Sequence, residues 1–361
     1  MKKLINFGPD LIEMNNTKHH IIWNEIGPTA RLLAVPGRQV VVVIHVNPDG
    51  DALGSALGLM LLMDKLRHNC KVISPNRYPG FLKWMPGSDR IIVLEEFSEV
   101  AITSMQQADI LFAVDFNELK RVKKLNDAFI GASAHKVLID HHPGPDIAAD
   151  CILSDTSASS TAELVYRFIR EAGLHAQMDK DIASCLFTGI MTDTGCFSYN
   201  SSQKKTWEVV AELLDYGIEK DRLYDLTYDN YSADRMRLLG FSLNEKMEVF
   251  PEYHTGIIWL TRGDLNKFNF EVGDTEGFVN YPLSIKGIRF SALFIEKENH
   301  IRISFRSKGD FAVNEFSRKN FNGGGHANAS GGESYVSLEK TLEHFRELLP
   351  LYWDKLRDYE V

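Results

Sequence analysis

Lys136-Val137-Leu138-Ile139-Asp140-His141-His142 is an apolar run that stops on three polar groups, and its reading decides the fold. The apolar residues predict a buried strand; a carboxylate and two imidazoles at its carboxyl end predict metal-ligand chemistry. Two further runs end in the same way. Val40 to Ile44 leads into His45-Val46-Asn47-Pro48-Asp49-Gly50-Asp51, and Ile110-Leu111-Phe112-Ala113-Val114 leads into Asp115. In open α/β sheets ligands lie beyond the carboxyl ends of the strands, so these endings are expected to meet in one place. A fourth candidate, Asp193, follows a helical stretch in Gly189-Ile190-Met191-Thr192-Asp193-Thr194-Gly195. Together they would supply oxygen and imidazole donors for two divalent cations.

Around this run, residues 38 to 142 alternate short β-branched segments with helical periodicity. Strands are expected at 40–46, 71–74, 90–94, 109–115 and 136–140, and helices at 52–68, 98–107 and 119–131. This is the punctuation of βαβ units, and continuously apolar strands suit a sheet covered by helices on both faces. The fold class is therefore α/β, a doubly wound and mainly parallel sheet. Residues 158 to 246 read as helices near 159–172, 179–192, 203–216 and 231–246. From about 248 strands return (255–260, 287–296, 300–307) with helices near 311–319 and 338–349, a smaller α+β domain expected across a cleft from the first. The expected bounds are 20–205, a helical linker 206–247, and 248–350.

A chain of 361 residues exceeds the size at which one core stops growing, which agrees with two domains. The net charge of -9 argues against a protein that coats long duplex DNA, whose affinity comes from neutralising phosphates, but leaves room for short anions on a local basic patch. Four cysteines without C-x-x-C spacing make neither a disulfide framework nor a zinc site. The first ten residues lack an apolar run of leader length, and no segment has the roughly 18 to 20 apolar residues of a membrane span. A soluble, cytoplasmic protein is expected.

Each motif also has a plainer reading. Pro48-Asp49-Gly50 is a turn, and Asp51 can cap the helix that follows; His45 at a strand end needs a partner, and Asp49 is near enough to share a cation with it. Gly54 and Gly58 would let that helix lie close to the sheet. Asp115 alone could be a loop residue, yet its two oxygens could bridge two cations. Asp193 could simply close a helix, and His19-His20 reads as an accidental pair. Asp-His-His after a strand is hard to explain by packing. In the second domain Arg302, Ser304 and Arg306 share one strand face by period two, as a water-facing strand would also have it. Beyond them, Asn322-Gly323-Gly324-Gly325-His326-Ala327-Asn328-Ala329-Ser330-Gly331-Gly332 offers amides for an anion nest near several Lys and Arg residues.

This set of motifs resembles the DHH phosphoesterase superfamily, in its NrnA-like subfamily of nanoRNases and pAp phosphatases related to RecJ exonucleases. The resemblance spans nearly the whole chain. It implies that His45, Asp49 and Asp115 hold one cation and that Asp51, Asp115, His141 and Asp193 hold the second, usually Mn²⁺, with Mg²⁺ or Co²⁺ as substitutes. It also implies that Asp140 supports the cluster from behind, that His142 faces the substrate phosphate, and that Asp115, His142 and Asp140 carry the catalysis. Arg306, Ser307, Gly323, Gly324, Gly325, His326 and Ser330 would grip the far end of a nucleotide.

The implied partner is a short single-stranded oligonucleotide or a small nucleotide such as pAp, with no membrane and no long duplex; a homodimer is left open. Two cations can activate a water and steady the leaving oxygen of an in-line displacement, and a cationic His142 would offset charge on the phosphoryl oxygens. Other reactions with the same centre are cyclic or linear dinucleotide hydrolysis and polyphosphate or pyrophosphate hydrolysis. The label exopolyphosphatase-related is attached to some chains of this kind. A non-enzyme alternative is an RNA- or nucleotide-binding protein, since a similar Gly-Gly-Gly-His domain occurs in alanyl-tRNA synthetases.

Overall fold

The strands expected from the apolar runs ending at His45, Asp115 and Asp140 are present. The computed structural model describes residues 21–23 and 26–357; the first ten residues and His19-His20 lie outside the described residues. Contacts divide the chain into two compact units. One takes the described residues up to Tyr78 with Leu82–Leu226, and the other takes Pro79–Phe81 with the residues from Thr227 onward. The division falls inside the stretch expected to be a linker. Among the described residues no helix is long and apolar enough to cross a membrane.

The first unit holds a seven-stranded sheet: β1 (Ile21–Trp23), β2 (Gln39–Val43), β3 (Asn69–Ser74), β4 (Ile92–Val93), β5 (Ile110–Val114), β6 (His135–Asp140) and β7 (Cys151–Asp155). Their order is β1-β7-β6-β5-β2-β3-β4. All neighbours are parallel except β1, which runs antiparallel to β7. The order reverses between β2 and β5, so a crevice opens at the carboxyl ends of the two strands that lead to His45 and Asp115. Side chains alternate between two buried faces: Leu111 and Ala113 of β5 join a core with Val41, Leu138 and Phe129, while Phe112 packs on Phe168 on the other side.

Three expectations needed correcting. The helix expected at 119–131 is a 3₁₀ turn, Leu119–Leu125, then a short α-helix, Asn126–Gly131, with Lys123 at φ 46 breaking the run. The strands β1 and β7 were not foreseen, because Cys151–Asp155 ends on Ser154 and Asp155 and lacks a long apolar signal. Gly54 and Gly58 do not serve contact with the sheet. A Cβ on Gly54 would lie 2.5 Å from the carbonyl of Cys185, and one on Gly58 would lie 2.8 Å from Leu186. They admit the helix Lys180–Asp193 against the helix Gly50–Lys65, a contact that carries Asp193 to the site.

The second unit is a mixed six-stranded sheet of β8 (Met247–Phe250), β9 (Thr255–Leu260), β10 (Phe290–Glu296), β11 (Ile301–Ser307), β12 (Gly324–Gly325) and β13 (Ala329–Ser334). Their order is β12-β13-β11-β10-β9-β8. One face buries Phe290, Phe294, Phe305, Phe316 and Phe345; the other buries Leu293 and Ile295 with Leu238 and Phe278. On β11 the expected alternation holds, with Ile303 and Phe305 buried and Arg302, Ser304 and Arg306 half-buried.

Candidate metal centre

Beyond β2 the chain is fixed before any cation is considered. His45 donates through Nδ1 to the carbonyl of Val46 at 2.8 Å, which leaves Nε2 as the nitrogen with a lone pair for a ligand. Asn47 sits at φ 53 and is held by Asn76, which accepts from its backbone N–H at 2.7 Å and donates to its side-chain oxygen at 3.1 Å. Asp49, not Asp51, caps the helix Gly50–Lys65, accepting from the amides of Asp51 and Ala52 at 3.1 Å each. Asp51 is thereby placed in the first turn of that helix and turned to a different partner. Its two oxygens accept from the amides of Thr161 (2.7 Å) and Ala162 (2.8 Å), at the start of the helix Thr161–Glu171.

Asp115 follows β5 in a left-handed conformation, φ 64, which is uncommon for a residue with a Cβ and occurs where surrounding structure enforces it. Its two oxygens face different ways. Oδ2 lies 3.2 Å from Nε2 of His45, while Oδ1 accepts from the Thr161 hydroxyl at 2.9 Å and lies 3.7 Å from Nε2 of His141. The same His141 nitrogen is 3.9 Å from Asp51 and 3.5 Å from Asp193, the last residue of its helix. These separations are long for direct hydrogen bonds. They suit atoms that share a cation at roughly 2.0–2.2 Å. His142 is turned by Asp140, donating its backbone N–H at 3.1 Å and its Nδ1–H at 2.8 Å to the two oxygens of that carboxylate.

Burial sets the charges. It pushes Asp51 well above the usual carboxylate value, with the charges of Asp115 and Asp193 acting in the same direction. Burial and the neighbouring Asp115 push Asp140 up to about 7. Burial opposes ionisation of Asp115 too, but the bond from His45 and the imidazoles of His45, His142 and His141 prevail and hold it below its ordinary value. For His45, burial and Arg121 act downward, and the bond and charge of Asp115, with Asp49, outweigh them. His142 goes the other way: burial and Arg121 press it well below 6.5. The expected cationic His142 is therefore replaced by a neutral imidazole, because burial and the positive charge of Arg121 outweigh the pull of Asp115.

Ligand atoms gather in groups that each lie within 4.8 Å, among them His45, Asp49 and Asp115, and Asp51, His141 and Asp193. Asp115 also joins Asp140 and His142 in a third group. Three buried carboxylates, Asp51, Asp115 and Asp140, with Asp49 and Asp193 half-buried beside them, cannot all ionise without positive charge between them, and mixed N/O donors fit a first-row divalent ion. The donor set therefore fits the expected metals.

The second-unit residues differ in kind. Ser307 is buried, donates to the carbonyl of Phe311 at 2.6 Å and accepts from Asn328 at 2.9 Å; Ser330 is buried and donates to Val313 at 2.9 Å. Arg306 is half-buried on the opposite strand face from Ser307. The glycine-rich stretch is not a free loop: Gly324–Gly325 and Ala329–Ser334 form a hairpin, with His326 donating its amide to Ala329 at 2.8 Å. A Cβ on Gly323 would lie 1.9 Å from the carbonyl of Gly331, whereas Gly324 has open space around it.

Sequence reasoning missed Thr161 and Asn76. Thr161 was legible in part, since Ser160 and Glu163 stand at capping-box spacing and Ser160 does accept from the Glu163 amide at 3.1 Å. That signature marks a helix start whose amides need acceptors, and Asp51 supplies them. Asn76 left no pattern.

Each of the two units matches a known family domain. Residues 39–190 match the DHH family, N-terminal domain, and residues 257–353 match the DHHA1 domain. The chain belongs to the DHH family of phosphoesterases, and is a hydrolase. A probable bifunctional oligoribonuclease and PAP phosphatase NrnA of Streptococcus mutans is 30% identical over 315 residues, 86% of this chain and 93% of that protein. The bifunctional oligoribonuclease and PAP phosphatase NrnA of Bacillus subtilis is 28% identical, covering 82% and 89%. A crystal structure of an exopolyphosphatase-related protein from Bacteroides fragilis superposes with a TM-score of 0.87 at 41% identity, covering 92% and 97%.

Proposed function

We propose that this chain is a two-metal phosphoesterase, with Mn²⁺ the preferred ion, that hydrolyses very short oligonucleotides and pAp to mononucleotides. One observation carries the proposal: the Asp115 carboxylate stands between two ligand groups, one oxygen toward His45 and the other toward His141. His45, Asp49 and Asp115 would hold one cation, and Asp51, Asp115, His141 and Asp193 the other. When bound, such a pair supplies positive charge to the phosphoryl oxygens and a water acidic enough to attack.

The residues do the rest. Thr161 orients Asp115 and Asp51 together, the first through its hydroxyl and the second through its amide. Asp140 fixes His142 with the proton on Nδ1, so Nε2 carries the lone pair and can take the proton that the attacking water releases. Arg306, half-buried on its strand, and Gly324, with open space around it, would be the second unit's groups for a substrate phosphate, while Ser307 and Ser330 hold the scaffold beneath. The names of the Streptococcus and Bacillus relatives support the substrate class.

The test is a panel of pAp, a dinucleotide, a five-nucleotide RNA, a cyclic dinucleotide and polyphosphate, compared by turnover at fixed Mn²⁺. Mononucleotides should appear fastest from the dinucleotide and pAp, and Asp115→Ala should abolish release and one or both metal-binding events in calorimetry. Full turnover by Asp115→Ala would end the two-metal reading; polyphosphate as the best substrate would replace the nucleotide one.

A further inference from the structure

We infer that Tyr199 is a stacking platform for a nucleobase of the substrate, and so a specificity-determining residue beside the metal centre. The inference rests on the nucleotide reading above and names what selects the nucleotide.

The loop after Asp193 is held in an unfavourable shape. Gly195 (φ 53), Cys196 (φ 55), Phe197 (φ 64) and Asn200 (φ 49) all lie in the left-handed region, and three of them carry a Cβ. Such strain persists only where surrounding contacts enforce it, and it gathers at ligand sites. The enforcing contacts are visible. The Thr194 hydroxyl accepts from the Phe197 amide at 3.0 Å, and its carbonyl accepts from the amides of Ser198 (2.9 Å) and Tyr199 (3.1 Å). Phe197 packs between Phe187 and Trp207, with ring centroids at 6.0 and 5.1 Å. Asn200 donates to the carbonyl of Ser159 at 3.1 Å, one residue from Ala158, whose carbonyl lies 3.5 Å from Nδ1 of His141.

These contacts fold the chain back and lay the Tyr199 ring on Gly195, where a Cβ would come within 2.2 Å of ring atom Cε1. The ring is thus fixed two residues from Asp193, yet Tyr199 is 48% exposed. Phe197 is half-buried between two rings, whereas Tyr199 leaves nearly half of its surface to solvent. An exposed aromatic surface, immobilised against backbone beside the ligands, is the form of a base-stacking site. Stacking tolerates any base, and it serves a substrate with too few phosphates for charge contacts to hold.

The experiment is steady-state kinetics and calorimetric binding of a diadenylate at fixed Mn²⁺, for the wild type, Tyr199→Phe, Tyr199→Leu and Tyr199→Ala. The leucine and alanine variants should raise KM about 5- to 100-fold with kcat within about twofold, while phenylalanine keeps the wild-type value. On a dinucleotide analogue lacking the bases, wild type and Tyr199→Ala should converge, with the same Mn²⁺ stoichiometry. An unchanged KM for diadenylate in Tyr199→Ala, an equal loss on the abasic analogue, or a loss carried by Trp207→Ala instead would overturn the inference. Binding without cleavage by the wild type would sink the hydrolytic reading alone and still report the tyrosine. A wild type that neither binds nor cleaves the dinucleotide would sink both.

Discussion

The end of β6 and the hairpin of β12 and β13 both drew attention as polar groups out of place, and they turn out to be opposites. At Asp140-His141-His142 the polar side chains are buried against one another, with charges that clash until something positive enters. In the hairpin the hydroxyl of Ser330, like that of Ser307 at the end of β11, is occupied by a backbone carbonyl, and the glycines let strands touch. Polar side chains that satisfy each other poorly mark a ligand site, whereas polar side chains already satisfied by backbone mark a scaffold. Glycine is ambiguous between the two, because close approach of a ligand and close approach of a neighbouring strand leave the same letter in the sequence.

The sharpest break between the regions should come from Gly323→Ala. Its Cβ would sit 1.9 Å from a backbone carbonyl and 2.8 Å from the Cα of Gly332, atoms that cannot swing aside. Overpacking of this kind costs on the order of 3 kcal/mol or more. Hydrogen exchange on the full chain should show β11 and β13 amides losing protection, with Mn²⁺ stoichiometry unchanged. Normal protection combined with a weakened KM would instead return this glycine to the substrate.

The converse variant is Thr161→Val, nearly the same in shape. It keeps the amide that bonds Asp51 and removes only the hydroxyl that bonds Asp115. Removing a group that orients a metal ligand typically weakens metal affinity about 10- to 100-fold. Calorimetry should find that loss for Mn²⁺ with exchange in the second unit untouched. Wild-type Mn²⁺ affinity in the valine variant would show that Asp115 needs no such support.

How much of this was legible follows from where each signal resides. Strand ends were readable because a buried run that stops on His45, Asp115 or Asp140 breaks a period that burial would otherwise continue. Asp193 was readable as a fourth candidate ligand but equally as a helix-closing turn, since its placement depends on Gly54 and Gly189 letting two helices meet, a contact between segments far apart in the chain. The cap was misplaced by two residues because Asp49 and Asp51 are equally good caps locally, and the choice is made by amides 110 and 111 positions away from Asp51. The charge on His142 could not be read at all. It depends on burial and on Arg121, which outweigh Asp115, and none of these is legible from adjacency.

That last point gives the gentlest test. A carboxyl raised to about 7 on folding holds its proton longer in the folded state than in the unfolded chain, where it releases near 3.9. The metal-free protein therefore loses stability as pH climbs from about 4 through about 7, and Asp51, also raised, acts in the same sense. His45, raised above 6.5, contributes stability at lower pH that disappears as pH passes its folded value. Asp115 and His142 run the opposite way: the window of Asp115 lies below the ordinary carboxylate range and is silent near neutrality, while His142, pressed below 6.5, offsets part of the loss up to about pH 6.5. Between pH 6 and 8 the slope should be on the order of 1 kcal/mol per pH unit. Metal binding needs these same groups deprotonated, so it strengthens over that interval. The gap in Tm between Mn²⁺-loaded and metal-free protein should accordingly widen from pH 6 to pH 8, while exchange at β10 and β11 stays flat. A gap that narrows would mean the cluster is already fully ionised without metal, and the electrostatic contrast between the two regions would be lost.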